Sequence, residues 1–382
     1  MAVHITVSTT SAEVVDSIND LLLQILLRLP VKSLMRFKLV SKHWKSVITS
    51  PDFSLLRNPR PNPTVGFVYP GRKISEFEYI NVDVKNPTKP PFRKLSFPED
   101  PYAFWIQQSC NGLLLCCSSG SSDCRYNRSP IRKCYVYNPT TNCFTKLPRP
   151  GVLNQVPRIV HGVNLAFDHA KSPPYKAVCV RGSEFARELL QIEIYSAESG
   201  VWRVSGEPFT ATASFDYGVY WNGSIHWLSY EPKELLYFNV DKERFAKMPL
   251  PVDINGVAYF GESCDHLHII GNHDMKIAFN VYEMKRDYSE WFVKYRVDLT
   301  AVLTTYRKMA YHNNLINRLG YAFSVLSLIR DVEEGSFLVL RISHKVVLVN
   351  LSCNTLEEIH DCGSSVVQWS SLFEYIESLA CV

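Results

Sequence analysis

The fold of this chain is indicated by a stretch that occurs twice: residues 137–150 read YNPTTNCFTKLPRP, and residues 238–251 read FNVDKERFAKMPLP. In each copy an aromatic residue precedes Asn, a second aromatic residue follows a short polar turn, and Lys leads to two prolines. Aromatic strand residues separated by Asn, Asp and Pro are typical of β-hairpins. Since the same hairpin pattern recurs within one chain, the sequence predicts a repeated β unit.

Looser copies of this hairpin extend along the chain at intervals of roughly 50 residues, the period of a kelch-like β-propeller. We define the anchor of each copy as the large side chain that leads its last strand and is expected to pack between neighbouring sheets; the anchors are Phe92, Phe144, Trp202, Phe245, Trp291 and Leu356. Six anchors predict six blades, with five or seven as alternatives. A pair of β-sandwich domains is the other fold class that such hairpins allow.

Two further features favour a closed propeller over residues 65–378. Asn-Gly pairs, which accept the positive φ of tight hairpins, occur at Asn111-Gly112 and Asn222-Gly223. Strand patterns at both ends of the region, near 65–69 and 369–375, are expected to pair and close the ring.

Residues 13–55 have a helical pattern instead, after a Ser/Thr-rich stretch at 1–12 that is expected to be flexible. Apolar residues recur at the spacing of one helix face from Ile18 to Leu29. Pro30 is expected to end this first helix, because proline lacks a backbone donor and clashes with the preceding turn.

Two more short helices are expected in this helical module. Ser33 and Ser41 are candidate N-caps, and Pro51 is expected to end the last helix. Three helices of this length cannot bury all of their apolar surface among themselves. The module is therefore expected either to bind a partner protein or to cap the larger domain.

The helical module is also basic. Between Leu21 and Pro51 the chain has six Lys or Arg and no Asp or Glu, although its overall net charge is only +4. A compact basic helical unit can bind DNA or meet an acidic protein surface. A DNA-reading helix needs exposed cations, whereas the last helix presents Trp44, Val47 and Ile48. A nucleic-acid-binding or transcriptional regulator is therefore the alternative, and a protein partner is the leading hypothesis.

Composition and motifs weigh against several other classes. The chain has 46% hydrophobic and 20% charged residues, as in globular proteins. Its first residues have neither the cationic start nor the apolar run of a signal peptide, so we expect none, and no apolar run is long enough to span a membrane. Its 11 cysteines contain no C-x-x-C pair, so we expect reduced thiols, no metal, and a location in the cytoplasm or nucleus. No nucleotide-binding or hydrolase motif occurs. His266 and His268, which share a strand face, are more simply explained as polar strand residues than as metal ligands.

The helical module resembles the F-box. The matching stretches are D-L-L-x-x-I-L from Asp20, RLPVKSL from Arg28, R-F-K-x-V-S-K-x-W from Arg36, and SPDF from Ser50. The Leu-Pro that opens many F-boxes is replaced by Ser17-Ile18. The resemblance implies docking on a Skp-type adaptor, and through it on a cullin.

By position, two groups of residues follow from the F-box resemblance. The candidate adaptor-binding residues are Ile18, Leu21, Leu22, Ile25, Leu26, Leu29, Pro30, Val31 and Leu34. The candidate F-box core residues are Phe37, Val40, Trp44, Val47 and Ile48. Members of the first group can also belong to the internal core, and the sequence does not separate the two roles.

The remainder resembles the F-box-associated domain of plant F-box proteins, in stretches such as SCNGLLLCCS, GVNLAFDHAKSPPYKAVCV and VYWNGSIHWLS. In that family the domain recruits the protein to be ubiquitinated. We therefore expect an α+β multidomain chain with a three-helix F-box and an all-β, six-bladed, kelch-like propeller. It would act as the non-catalytic, cofactor-free receptor of a Skp-cullin-F-box ubiquitin ligase, with its unknown protein target bound by propeller loops such as 118–132 and 151–162.

Overall fold

The computed structural model describes residues 18–57, 64–71, 73, 75–97, 104–118, 133–150, 152–153, 156–157, 159–168, 175–254, 256–271, 277–307, 310–313, 318–321, 323–330, 335–363 and 372–382. These residues form an N-terminal helical module followed by a ring of β-sheets. No helix in the described ranges is long and apolar enough to cross a membrane.

The helical module has one helix more than predicted. Its helices are α1 (Asn19–Leu27), α2 (Val31–Phe37), α3 (Lys42–Thr49) and α4 (Pro51–Arg57). Pro51 begins α4 instead of ending the module, because the first position of a helix needs no backbone N–H. Ser50 Oγ accepts a hydrogen bond from the Phe53 backbone N–H at 3.1 Å, which supports this start. The predicted count of three helices is therefore wrong.

Only one of the two predicted caps is correct. The Ser41 side chain accepts a hydrogen bond from the Trp44 backbone N–H at 3.1 Å and caps α3. Ser33 lies inside α2, which starts directly after Pro30. The fixed φ of Pro30 suits a helix entrance, so the helix begins three residues earlier than a Ser33 cap would place it.

The helices of the module enclose a small apolar core. Its fully buried side chains are Leu22, Leu26, Leu34, Ile48 and Phe53. The guanidinium of Arg57 donates a hydrogen bond to the Leu29 carbonyl oxygen at 2.7 Å. That bond joins the end of α4 to the turn after α1, where the helix leaves carbonyl groups without partners.

The ring consists of six antiparallel sheets, which we number as blades in chain order. Blade 1 consists of β27 (Phe373–Tyr375), β1 (Gly66–Pro70) and β2 (Phe77–Asn81). Blade 2 consists of β3 (Phe104–Cys110), β4 (Leu113–Ser118), β5 (Lys133–Asn138) and β6 (Cys143–Lys146). Blade 3 consists of β9 (Val160–Ala166), β10 (Lys176–Gly182), β11 (Leu190–Ser196) and β12 (Val201–Phe209). Blade 4 consists of β13 (Val219–Trp221), β14 (Ser224–Tyr230), β15 (Lys233–Asn239) and β16 (Arg244–Pro249). Blade 5 consists of β17 (Val257–Ser263), β18 (His266–Gly271), β19 (Ala278–Met284) and β20 (Trp291–Asp298). Blade 6 consists of β23 (Phe323–Arg330), β24 (Ser336–Ile342), β25 (Lys345–Asn350) and β26 (Leu356–Asp361).

Short elements lie between blades. They are the ribbon of β7 (Val152–Leu153) and β8 (Val156–Pro157), helix α5 (Thr300–Thr305), and the ribbon of β21 (Ala310–Asn313) and β22 (Arg318–Tyr321). The first strands of the blades contact one another in succession around a central channel, from β27 through β3, β9, β13 and β17 to β23. The six-bladed propeller predicted from the repeats is confirmed.

The ring is closed by strands from its two ends. β27 pairs with β1 antiparallel, with Gly66 opposite Tyr375 and Val68 opposite Phe373. This confirms the predicted pairing of the two ends, although residues 369–371 of the predicted strand lie outside the described part of the chain. The pairing covers the edge of β1 that would otherwise be open to association with another chain.

The anchors mark the outer edge of the blades. Five of them are the first or second residue of a fourth strand, in β6, β12, β16, β20 and β26. The sixth, Phe92, precedes Lys94, whose isolated bridge to Glu76 takes the place of a fourth strand in blade 1. Phe245 shows the packing role clearly, because its ring stacks 4.2 Å from that of Phe209 in the preceding blade.

The inner strand of blade 3 lies against the segment that leads into blade 4. A Cβ atom added at Gly162 in β9 would lie 2.1 Å from the carbonyl oxygen of Phe215, where the chain enters blade 4. Gly182 lies in the neighbouring strand β10, and a Cβ atom there would meet nothing closer than the Ile159 carbonyl oxygen at 4.0 Å. The two glycines therefore form a matched pair for testing the blade contact.

We predict that Gly162→Ala lowers the midpoint of thermal unfolding, because displacing packed backbone costs about 1–3 kcal/mol. Gly182→Ala should change the stability by less than about 0.5 kcal/mol. Differential scanning calorimetry of both variants measures the difference. Equal midpoints for the two variants would contradict the close approach of blades 3 and 4.

Candidate functional site

Helix α1 has two apolar faces, one inside the module and one outside. Leu22 and Leu26 are buried in the core. Ile18, Leu21 and Ile25 lie on the other side and remain between 38% and 46% exposed. We call these three residues the α1 row; their i, i+3, i+7 spacing places them along one helix face.

The structure separates the predicted adaptor-binding residues into three groups. The α1 row and Pro30 are exposed, and Leu29 is half-buried against the module core. The buried residues are Leu22, Leu26, Val31 and Leu34. Because these side chains are buried, only the exposed members offer surface to a partner in this structure.

Four of the predicted core residues pack in the module, and one does not. Ile48 is buried, while Phe37, Trp44 and Val47 are half-buried against the core, with the Phe37 and Trp44 rings 5.2 Å apart. Val40 is 58% exposed, so its placement in the core is wrong. Because α2 ends at Phe37, Val40 lies in the following turn and not on the inward helix face.

Sequence reasoning missed further exposed apolar side chains on the module. Leu39 is 86% exposed beside Val40, and Leu56 on α4 is also exposed. The predicted second helix included Leu39, whereas α2 ends at Phe37 and leaves Leu39 in the turn that follows. Leu39, Val40 and Leu56 add to the exposed apolar surface that the α1 row presents.

The C-terminal tail joins the module to the propeller. Leu379 packs against the module core, and its carbonyl oxygen accepts a hydrogen bond from Lys38 Nζ at 3.4 Å. Burial lowers the pKa of the Lys38 ammonium group. In blade 2, Asn138 Nδ2 donates hydrogen bonds to the carbonyl oxygens of Ser378 at 3.1 Å and Ala380 at 2.8 Å. The tail is thus held by both parts of the chain.

The propeller has two ends, because successive strands of a blade run in opposite directions. The tail and the module lie at the end where β27 finishes and β1 starts, which we call the near end. The described ends of the connections between blades lie at the opposite, far end, as do Ser118 and Lys133, between which most of the predicted target-binding loop 118–132 lies. The described residues of the other predicted loop, 151–162, belong to the connection between blades 2 and 3 and to the start of β9. Most of these two loops lies outside the described residues.

The far end presents large apolar side chains to solvent. The set consists of Ile159, Phe185, Tyr217 and Val252, each between 61% and 96% exposed. They lie on three connections between blades and on the turn between β10 and β11. Exposed apolar residues clustered at one end of a domain are typical of an interaction surface, whereas single ones are common on any protein.

A cavity of about 350 Å³ lies on the propeller axis, lined by residues of the inner strands. Its lining contains Glu262 and Glu374 and no Lys, Arg or His. Ser327 Oγ donates a hydrogen bond to Glu374 at 2.9 Å, and the Asp265 backbone N–H donates one to Glu262 at 2.6 Å. Burial raises the pKa of Glu374 to about 7. Burial, with the charge of Glu374 second, raises the pKa of Glu262 to about 8.

The histidines that sequence reasoning considered as metal ligands belong to a buried ion cluster. His266 Nδ1 and His268 Nε2 lie 3.1 Å and 3.3 Å from the carboxylate oxygens of Glu283, which also bonds Arg330 at 2.9 Å. Burial lowers the pKa of His268. Among the described residues, no three His, Cys, Asp or Glu side chains are grouped to hold a metal ion.

The channel carboxyls generate a prediction about pH. Because their pKa values lie above the ordinary 4.5, the native chain holds protons that the unfolded chain has released. The stability that the two protonated carboxyls contribute is complete below pH 4.5, the pKa of the unfolded chain, and is lost as the pH rises through 7 and 8. We expect the thermal midpoint of the wild type to fall across this window.

In the Glu262→Gln variant the side chain at position 262 cannot ionise, so the thermal midpoint should depend less on pH. Glu198→Gln is the control, because Glu198 is exposed and its replacement should leave the pH dependence unchanged. Thermal unfolding of the three proteins, followed by fluorescence from pH 6.5 to 8.5, measures the slopes; this window is about the range over which the two carboxyls ionise. An unchanged slope in Glu262→Gln would show that Glu262 is already ionised in the folded protein.

The comparisons with known proteins agree with this architecture. Residues 19–56 match the F-box domain, and residues 71–382 match the F-box associated beta propeller domain. The chain is 32% identical to F-box protein At5g07610 of Arabidopsis thaliana, over 98% of this chain and 94% of that protein. It is 30% identical to F-box protein At5g49610 of the same plant, over 62% and 65% of the two chains.

Solved structures are more distant. A chain of the nidogen/laminin complex aligns with a TM-score of 0.40 and 9% identity, over 83% of this chain and 98% of that one. The sequence matches and the two-part architecture together establish the relationship. The chain belongs to the F-box proteins that carry an F-box-associated β-propeller domain.

Proposed function

We propose that this protein is the substrate-recognition subunit of a Skp-cullin-F-box ubiquitin ligase. Its F-box would bind a Skp-type adaptor, which binds a cullin, and its propeller would hold the protein to be ubiquitinated. The observation that carries the proposal is the α1 row, an apolar helix face that neither the module core nor the propeller covers.

The chemistry of the module suits a protein partner. Burying a fully exposed large aliphatic side chain contributes about 1.5–3 kcal/mol. The α1 row residues are 38–46% exposed, so covering each of them would contribute a part of that range. Arg28, Arg36, Lys42 and Lys45 are exposed on the same module. A partner surface with acidic residues beside an apolar groove would complement this arrangement.

A receptor of this kind needs no catalytic group. It acts by holding an acceptor lysine of the target near the ubiquitin-carrying enzyme, which raises the effective concentration of the reacting groups. The tail contacts at Leu379 and Asn138 hold the F-box against the near end of the propeller. The exposed apolar set at the far end then lies opposite the ligase, and we propose that the target binds there.

We predict that Ile25→Glu abolishes binding of a Skp-type adaptor, because it places a charge in the centre of the α1 row. Gln24→Glu introduces the same side chain at the adjacent exposed position of the same helix and should retain binding. Both purified chains are titrated with a plant Skp-type adaptor by isothermal calorimetry. A loss of at least about 100-fold in affinity is expected for Ile25→Glu alone, equivalent to about 2.7 kcal/mol.

Equal adaptor affinity for the two variants would overturn the proposed docking surface. Circular dichroism separates this outcome from a loss of folding, because the α1 row lies outside the core and its variants should keep the native helix content. If the wild-type chain itself fails to bind any adaptor, the ligase role is wrong for this protein.

A further inference from the structure

Two cysteines of blade 2 face each other across a pair of strands. Cys117 in β4 is directly opposite Cys134 in β5, and both side chains are buried. Their sulfur atoms lie 3.0 Å apart. Both residues are thiols in this structure.

The register of the two strands suits a covalent bond between these sulfurs. Directly opposed residues of an antiparallel pair have Cα atoms about 4.5–5.5 Å apart, and disulfides span Cα separations of about 4.4–6.8 Å. A bond of about 2.05 Å therefore requires the sulfurs to approach by about 1 Å, which side-chain rotation can supply without moving the strands.

The neighbouring Cys116 provides an internal comparison. It is also buried, but successive strand residues point to opposite faces of a sheet. Cys116 packs in the core between blades 1 and 2, whereas Cys117 and Cys134 share the core between blades 2 and 3. The sheet thus places Cys117 and Cys134 together and Cys116 on its other side.

Cys117 and Cys134 lie near the ends of β4 and β5, so a disulfide bond between them would fix these two strand ends together. β4 ends at Ser118 and β5 begins at Lys133, so the bond would join the base of the loop 119–132 at the far end. Cys117 also donates a hydrogen bond to Gln107 Oε1 at 3.1 Å, and Gln107 lines the central channel. Oxidation removes the S–H donor of Cys117 and with it the hydrogen bond to Gln107. The redox state of the cysteine pair therefore affects a residue that lines the channel as well as the two strand ends that the bond would join.

We propose that Cys117 and Cys134 form a reversible disulfide site in blade 2. The oxidant is a low-molecular-weight disulfide such as glutathione disulfide. One cysteine thiolate attacks it and releases one glutathione thiolate, leaving a mixed disulfide. The second cysteine attacks this mixed disulfide, forms the Cys117–Cys134 bond and releases the second glutathione. The protein loses two protons and two electrons, and glutathione disulfide is reduced to two thiols.

The sequence-based expectation of reduced thiols describes the starting state of this reaction. Both sulfurs are buried, so attack requires opening of the strand ends beside the loop, and the reaction should be slower than that of exposed cysteines such as Cys143 or Cys353. Once formed, the bond constrains the unfolded chain by closing the loop between the two strands, which raises thermal stability.

The test uses the full-length protein and its variants Cys117→Ala, Cys134→Ala and Cys116→Ala. Each is incubated with glutathione disulfide, denatured, alkylated with N-ethylmaleimide, and weighed intact by mass spectrometry, which distinguishes an internal disulfide from glutathione adducts. Wild type and Cys116→Ala should lose one pair of alkylatable thiols and unfold at a higher temperature. Dithiothreitol should restore both properties.

Cys117→Ala and Cys134→Ala should each fail to form the internal disulfide. Two variants are used because truncation of a buried thiol can impair folding, and circular dichroism identifies any variant that does not fold. The proposal is overturned if folded wild-type protein contains no internal disulfide after prolonged oxidation, whether or not exposed cysteines have gained glutathione. It is also overturned if the disulfide still forms in a folded Cys117→Ala or Cys134→Ala variant.

Discussion

The pairing of β27 with β1 is the constraint on which the rest of the structure depends. Each blade buries an apolar face against its neighbours, and the ring is complete only when residues from both ends of the propeller enter blade 1. Phe67 and Tyr69 of β1 pack with Val339 and Val346 of blade 6, in the core that joins the last blade to the first. Without β27, the edge of β1 that it covers would be open to solvent.

Closure also determines where the functional parts lie. The chain leaves β27 as a short tail, which passes the first turn of blade 2 at Gly112 and ends against the F-box. A Cβ atom at Gly112 would lie 2.6 Å from Ser378 Cβ, so the glycine makes room for the tail. The F-box is thereby held at one end of the propeller, and the exposed apolar loops are left at the other.

The sequence predicted the parts of the fold that depend on short-range pattern. Repeated hairpins, Asn-Gly turns and paired ends suffice for a closed six-bladed ring, and Asn111 and Asn222 do adopt a positive φ of 48° and 49°. The F-box was recognisable from the short sequence motifs of its helices. These features were predictable because each blade repeats the same short-range arrangement of strands and turns.

The candidate sites were less predictable, since they depend on which faces meet in three dimensions. Periodicity grouped Leu22 with Leu21, although one is buried and the other exposed. The F-box resemblance assigned Val40 to the core by position, and a turn cannot be distinguished from a helix continuation by apolar content alone. The approach of Glu262 to Glu374 was invisible in sequence, because the two residues come from blades 5 and 1 and meet only on the axis.

The claim that this chain links a ligase at one end to a target at the other is tested most directly by affinity purification from plant cells with the proteasome blocked. The account predicts that the wild type captures a Skp-type adaptor, a cullin and a target. Ile25→Glu should lose adaptor and cullin but keep the target, while the double variant Phe185→Asp and Val252→Asp should do the reverse. Loss of adaptor and target together in both folded variants, or capture of no adaptor by the wild type, would contradict it.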